Sequence, residues 1–332
     1  MAGVITRSPG QFTAGLEAGG AVTVAGGPFA EVLVAGMGGS WMAAALVADA
    51  RLARVPVRLH RSYDLPEGLD RQRTLVIAYS FSGNTEECLS AYDSARKAGC
   101  ALVGVSAGGQ LQRRCQRDGV PHVRIPADPP TMQPRSATGY GVGIITALLD
   151  RCGIAAEGAV ETVAALADSL RQFMPVARQR GTQVASELGP AVPVVYASPT
   201  YGTVARIWKI KFNENAKTPA FWNVLPELNH NEMIGWTQLK GDFHLIFLSD
   251  PADDPRILAR QEITREMLAA KGLKSTVVTI EGGGLAHRIF STLLVGDWAS
   301  YELAIAAGID PSPVAMVEDF KRLLRQRQRG DQ

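Results

Sequence analysis

The strongest constraint on the fold is a unit that recurs along the chain: a short apolar run, a turn rich in glycine or hydroxyl groups, then a stretch of helical character. Residues 31–36, EVLVAG, run into Gly36-Met37-Gly38-Gly39-Ser40 and then WMAAALVADARLA. VPVRLH ends at His60, and TLVIAYS, from Thr74 to Ser80, leads into FSGNTEECLSAYDSARKAG. There Asn84, with Glu87 three residues on, predicts a helix cap. ALVGVS (Ala101 to Ser106), a short helix from Gln110 and the strand HVRIPA follow. Strands that are apolar throughout are buried on both faces, and a parallel sheet covered by helices on each side meets that demand.

After the turn DPPTMQPRS, a helix is predicted from about Ser136 to Cys152, and Cys152-Gly153 closes the first half. A long helical stretch from about Glu157 to Glu187 bridges to Pro190, and the unit resumes with VPVVYAS, a helix over Thr200 to Lys217, FHLIFLS, a helix near Pro255 to Lys271, and STVVTI. Helices over Leu285 to Ala307 and Pro313 to about Arg325 end the pattern. The expected fold class is α/β: two three-layer αβα sandwiches with mainly parallel sheets joined by helices, one over residues 1–153 and one over 154–332. No residue-level repeat relates them. The length of 332 residues and the hydrophobic share of 46% suit two buried cores.

Charge excludes some partners. With 34 basic and 32 acidic residues the chain has no overall field for nucleic acid or a membrane surface, so neither is expected as a partner. The basic run Lys321 to Arg329 has the character of a solvated helix end. Cys88, Cys100, Cys115 and Cys152 show no CxxC spacing, which argues against zinc ribbons and thioredoxin-like chemistry and for reduced thiols. With no basic-then-apolar leader and no apolar run long enough to span a bilayer, the expected location is the cytoplasm.

Ligands of open parallel sheets bind beyond the carboxyl ends of the strands, where both glycine turns fall. A dinucleotide fingerprint would need glycine at Trp41, and GxxxxGK[ST] is absent, so neither a nicotinamide nor a P-loop reading holds. What these turns offer is hydroxyls. Ser40, Ser80, Ser82 and Thr85, with the amides of Gly38 and Gly39, would gather at helix N-termini and cradle a phosphate. Arg135 would add a charge-assisted contact or close over the sugar. Glu86 and Glu87 begin the same helix as Thr85 and would repel the phosphate unless they point aside.

Residues 211–232, KFNENAKTPAFWNVLPELNHNE, are the densest stretch in proton-transfer groups: Lys211, Glu214, Lys217, Glu227, His230 and Glu232, with Phe221 and Trp222 between them. Burying such groups unpaired costs several kcal/mol each, so the density marks a site. His230-Asn231-Glu232 lacks the PCxxC of a zinc deaminase, HExxH is absent, and the turn at Ser80 lacks GxSxG. No metal, no cofactor and no serine nucleophile are expected.

Together these residues resemble the sugar isomerase (SIS) domain, through GMGGS from Gly36 and SFSGNTEE from Ser80. The tandem layout, Pro134-Arg135, NENAK from Asn213, PELNHNE from Pro226, and GDWASYELAIAAGIDPSPV followed by Phe320-Lys321 resemble the bifunctional phosphoglucose/phosphomannose isomerase family, over roughly Glu31 to Leu324. The resemblance implies two SIS-type sandwiches, a phosphate held by Ser40, Ser80, Ser82 and Thr85, Arg135 beside the sugar, Glu214 as the isomerising base, and His230 and Lys321 serving ring opening. It also implies a homodimer in which His230 reaches the partner's active site. Phe81 stands where the family's SYSGNT loop has tyrosine, the segment after Tyr196 lacks the usual glycine, and Ser312 stands where many relatives have threonine.

The implied chemistry suits these groups. Aldose–ketose isomerisation moves a proton between C1 and C2 through a cis-enediol, and one partly buried carboxylate can serve both carbons. Histidine and lysine suit the opening of a closed sugar ring. The expected activity is interconversion of glucose 6-phosphate, and mannose 6-phosphate, with fructose 6-phosphate. A non-catalytic SIS-type sensor of sugar phosphates, or an isomerase of amino sugars or pentose phosphates, are the rival readings.

Overall fold

The computed structural model describes residues 1–129 and 131–330; the expectations that touch Pro130 and residues 331–332 lie outside it. The first half begins with helices α1 (Ala2–Arg7) and α2 (Gly10–Gly20). It continues through β1 (Glu31–Ala35), α3 (Gly39–Asp49), β2 (Val57–His60), β3 (Thr74–Tyr79), α4 (Glu86–Lys97), β4 (Ala101–Ser106), α5 (Gly109–Asp118), β5 (His122–Arg124) and α6 (Thr138–Arg151). The long α7 (Ala159–Leu188) leads into β6 (Val192–Ala197), α8 (Gly202–Asn215), β7 (Phe221–Val224), the single turn α9 (Glu232–Gly235) and β8 (Phe243–Ser249). Next come α10 (Pro255–Ala269), β9 (Lys274–Thr279), α11 (Leu285–Ala306) and α12 (Ala315–Gly330).

The strands form two sheets, parallel throughout, in the orders β2-β1-β3-β4-β5 and β7-β6-β8-β9. Period-two alternation divides each buried strand between two cores. Val32, Val34, Leu75 and Ile77 from the first sheet, and Val195, Ile246 and Leu248 from the second, join one continuous cluster with α3, α6, α7, α8 and α11. Leu33 and Val76 face the opposite way, onto α4 and α5, while Tyr196, Leu245 and Phe247 face Leu228 and Leu268. A layer of helices is therefore shared by the inner faces of both sheets. At about 1.5–3 kcal/mol for each fully buried aliphatic side chain, that shared cluster is the main bond between the halves.

Of the elements with no counterpart in the sequence reading, two matter most to the organisation of the fold. The segment GQFTAGLEAGG is glycine-rich and a poor intrinsic helix former, yet it folds as α2 against α6. Its glycines permit the approach, since a Cβ on Gly15 would stand 2.4 Å from the Tyr140 carbonyl. The other is β7, an edge strand built from FWNV inside the polar stretch that announces a site.

Candidate functional site

In the first sheet β1 lies between β2 and β3, so the chain leaves the carboxyl ends of β1 and β3 in diverging directions and opens a crevice there. Two loops fill it. Gly38, at φ +53°, turns the chain into α3, and Gly39 passes so close to the Pro134–Ser136 turn that a Cβ would meet the Pro134 carbonyl carbon at 2.6 Å. Ser40 is buried, and its Oγ accepts a hydrogen bond from the Phe81 N–H at 3.1 Å, which ties the two loops together. Ser80, fully buried, and Thr85 share a hydroxyl–hydroxyl bond of 2.8 Å. Ser82 Oγ accepts from the Asn84 N–H at 3.2 Å.

Thr85, rather than Asn84, occupies the N-cap of α4. Asn84 is taken up elsewhere: its Nδ2 donates to the Ser82 carbonyl and its Oδ1 accepts from the Gln110 N–H, stapling this loop to the start of α5. Thr85 turns its hydroxyl to Ser80 and makes no capping bond. Neither α3 nor α4 has a side-chain cap, so the N-termini of both helices present amides to the crevice. Glu87, then burial, then Glu86 push the Tyr63 phenol above its ordinary range.

Arg135 is the hub of the opposite wall. Its guanidinium is buried, with each nitrogen directed at an acceptor. Nε donates to Asn215 Oδ1 at 2.6 Å, Nη1 to Glu214 Oε2 at 3.0 Å, and Nη2 to the carbonyls of Pro311 and Ser312 at 2.8 and 3.0 Å. A buried charge survives only with such matching, because desolvation costs several kcal/mol. Burial lowers its pKa, and Glu214 works against that shift. The Arg135 carbonyl accepts from Lys211 Nζ at 2.7 Å; Lys211 in turn pairs with Asp297 at 2.5 Å, and Asn215 Nδ2 donates to Ser300 Oγ at 2.9 Å. Lys217, at φ +56°, donates to the Glu214 carbonyl. Glu214 itself keeps 33% of its side chain exposed, enough for a substrate to reach it.

His230 and Lys321 stand apart from this cluster. His230 ends a short 3-10 turn (Glu227–His230) after β7 and is exposed. Asn229 fastens that turn to α10 by donating to Thr264 Oγ1 at 2.8 Å. Glu232 fastens the following residues by accepting from the Tyr196 hydroxyl and from Asn223 Nδ2. Glu227 accepts from Asn231. Because α8 returns alongside the parallel strands β6 and β7, Glu214 lies at the amino edge of the second sheet and His230 beyond its carboxyl edge. The four residues of β7 alone separate those edges by about 13 Å. Lys321 is exposed on α12 and pairs with Glu318 at 2.9 Å. Among the described residues neither His230 nor Lys321 forms a hydrogen bond or ion pair with Glu214 or Arg135.

The remaining histidines are occupied. His122 bonds Ser106, His244 bonds Thr276, and His287 packs edge-on against Phe173 with ring centroids 6.0 Å apart. No group of three or more metal-ligating side chains occurs among the described residues. Asn215 and Asp297, and the 311–312 carbonyls, were not singled out by sequence reasoning, although all lie in segments that carried the family resemblance.

Residues 177–324 match the family described as bacterial phospho-glucose isomerase C-terminal SIS domain. Over 308 residues, 89% of this chain and 89% of the relative, the sequence is 34% identical to a bifunctional phosphoglucose/phosphomannose isomerase of Caldicellulosiruptor bescii. The chain belongs to the bifunctional phosphoglucose/phosphomannose isomerase family. A family member from Aquifex aeolicus is 31% identical over 303 residues, 90% of this chain and 91% of its own. The fold is shared with a hypothetical protein from Thermus thermophilus, at a TM-score of 0.75 and 17% identity over 98% of this chain and 89% of that one. The C-terminal match spans Arg135's partners Glu214 and Asn215 and the 311–312 strap, as well as His230 and Lys321.

Proposed function

We propose that this chain interconverts glucose 6-phosphate and mannose 6-phosphate with fructose 6-phosphate, residues 1–153 forming the domain with the phosphate cradle and residues 154–332 the domain with the proton-transfer groups. The observation that carries the reading is the Arg135–Glu214 pair. It fixes one carboxylate oxygen, Oε2, beside the crevice of the first sheet and leaves Oε1 to move a proton. The phosphate lies on the amides of α3 and α4 and on Ser40, Ser80, Ser82 and Thr85. Glu214 takes the proton from C2 of the aldose and returns it to C1, while Arg135 stabilises the developing enediolate through the same fork. C2 is planar in the intermediate, so glucose and mannose epimers converge on one ketose.

Ring opening falls to His230 and Lys321. The separation of His230 from Glu214 within one chain supports a homodimer in which His230 enters the partner's site. The apolar face of α12 supports it too: Met316, Val317, Phe320 and Leu323 are 86%, 46%, 64% and 51% exposed, a surface that a second copy would cover. Four free thiols fit a reducing cytoplasm.

Fructose 6-phosphate incubated with the purified protein is expected to yield both aldose phosphates, with deuterium from the solvent appearing at the exchanged carbon and no loss of rate under a chelator. Tight phosphosugar binding by calorimetry without any aldose would make the protein a sensor. Turnover of glucosamine 6-phosphate alone would move the substrate class.

A further inference from the structure

Trp41 follows Ser40 directly in the first turn of α3, and two guanidinium groups rest on its ring. The Arg206 Cζ is 4.4 Å from the ring centroid and the Arg61 Cζ 5.4 Å. Arg206 also approaches the ring of Trp222, at 6.0 Å. The two arginines come from different parts of the fold. Arg61 follows β2, at the carboxyl edge that holds the phosphate loops, and Arg206 lies on α8, two turns before Glu214.

Several arginines elsewhere in the protein are paired with carboxylates, among them Arg114 with Asp93, Arg117 with Asp118 and Arg288 with Asp250. Arg61 and Arg206 have no carboxylate within salt-bridge distance among the described residues. A cation–π contact holds a cation in place, but it does not neutralise charge, and two cations on one ring repel each other. Burial, and after it Arg61, hold Arg206 below its ordinary pKa. The crevice lacks what this pair has in excess. Its phosphate-facing groups are neutral hydroxyls and amides, α4 opens with Glu86 and Glu87, and Arg135 is fully engaged with Glu214, Asn215 and the strap. A sugar phosphate carries close to two negative charges at neutral pH.

We infer that Arg61 and Arg206, held on Trp41 beside Ser40, supply the counter-charge for the substrate's phosphate dianion and set its affinity. The inference rests on the reading that the cradle takes a sugar phosphate. Trp41 acts as the spacer that keeps both cations at the rim without letting a protein carboxylate neutralise them.

The test uses the full chain with Arg61→Gln, Arg206→Gln, the double variant, and Arg206→Lys. Each single loss of charge is expected to raise KM for fructose 6-phosphate about tenfold, with kcat changing far less, and to flatten the rise of KM with ionic strength. Arg206→Lys should recover most of the affinity, because it keeps the charge. Calorimetric titration with inorganic phosphate should show the same order of weakening. Unchanged KM and salt dependence in folded variants, judged by melting temperature, would overturn the inference and leave the isomerase reading standing. Weaker phosphate binding with unchanged KM would overturn it as well, by revealing a phosphate site separate from the substrate's. If the wild type turns nothing over, the phosphate titration still decides: equal affinity in wild type and double variant defeats the inference.

Discussion

Arg135 and Glu214 show how a carboxylate can stay partly open to solvent yet be fixed in place. Four acceptors hold the guanidinium, so Glu214 Oε2 has a rigid donor behind it while a third of the side chain meets the crevice. Glu214→Gln keeps an acceptor for Arg135 and removes the carboxylate proposed as the base. It is expected to lower kcat about a thousandfold, with the melting temperature nearly unchanged and solvent deuterium no longer entering the sugar. Retained exchange would move the base elsewhere, and Glu232, engaged with Tyr196 and Asn223, and Glu227 would be the groups to examine. Arg135→Met is expected to cost stability as well, about 3 kcal/mol in urea denaturation, because it strands acceptors inside the protein. A midpoint equal to wild type would mean that water replaces the fork. The hydroxyl loops were legible because each is contiguous in sequence. Arg135's other partners, Asn215 and the 311–312 carbonyls, were not, because they lie 80 to 177 residues away and no local pattern announces them.

At the scale of elements, α12 is the one whose surroundings the single chain leaves open. Its apolar side chains are mostly solvent-facing, and the helix carries Lys321. If α12 forms the proposed subunit contact, Phe320→Asp is expected to yield a monomer in light scattering where the wild type is a dimer, and to depress activity in parallel. A fully active dimer would take α12 out of the subunit contact. The strands at Glu31, Thr74, Ala101, Val192 and Phe243 were readable as continuous apolar runs, since burial on both faces forces that composition. An edge strand such as β7, with Phe221 and Trp222 exposed, carries no such signature. The capping role of Asn84 was misjudged for a related reason: the residue suits a cap locally, but its side chain is drawn to the start of α5, a tertiary neighbour.

For the whole molecule, the sequence shows two sheets but not that their inner faces share one layer of helices. Helical periodicity says that a face is apolar, not which sheet it meets. The fold also stores a pH response. Burial lowers the pKa of His122, His244 and His287, so each is favoured neutral in the native state. Unfolded histidines protonate near pH 6.5, so the unfolded state binds more protons as pH falls. Stability is therefore full above about pH 6.5 and declines as pH drops towards the lowered folded values. Asp118, held at about 2 chiefly by its hydrogen bond from Arg117, releases its share only in stronger acid. Scanning calorimetry between about pH 7.5 and pH 5 should show a falling melting temperature. A flat profile would mean that these imidazoles stay open to water. The bonds from Arg135 to the Pro311 and Ser312 carbonyls carry a further consequence, for a cut in the chain. A backbone break in the loop between α11 and α12 would release those carbonyls and leave a buried guanidinium incompletely coordinated, so the integrity of that loop and the order around Arg135 are one property.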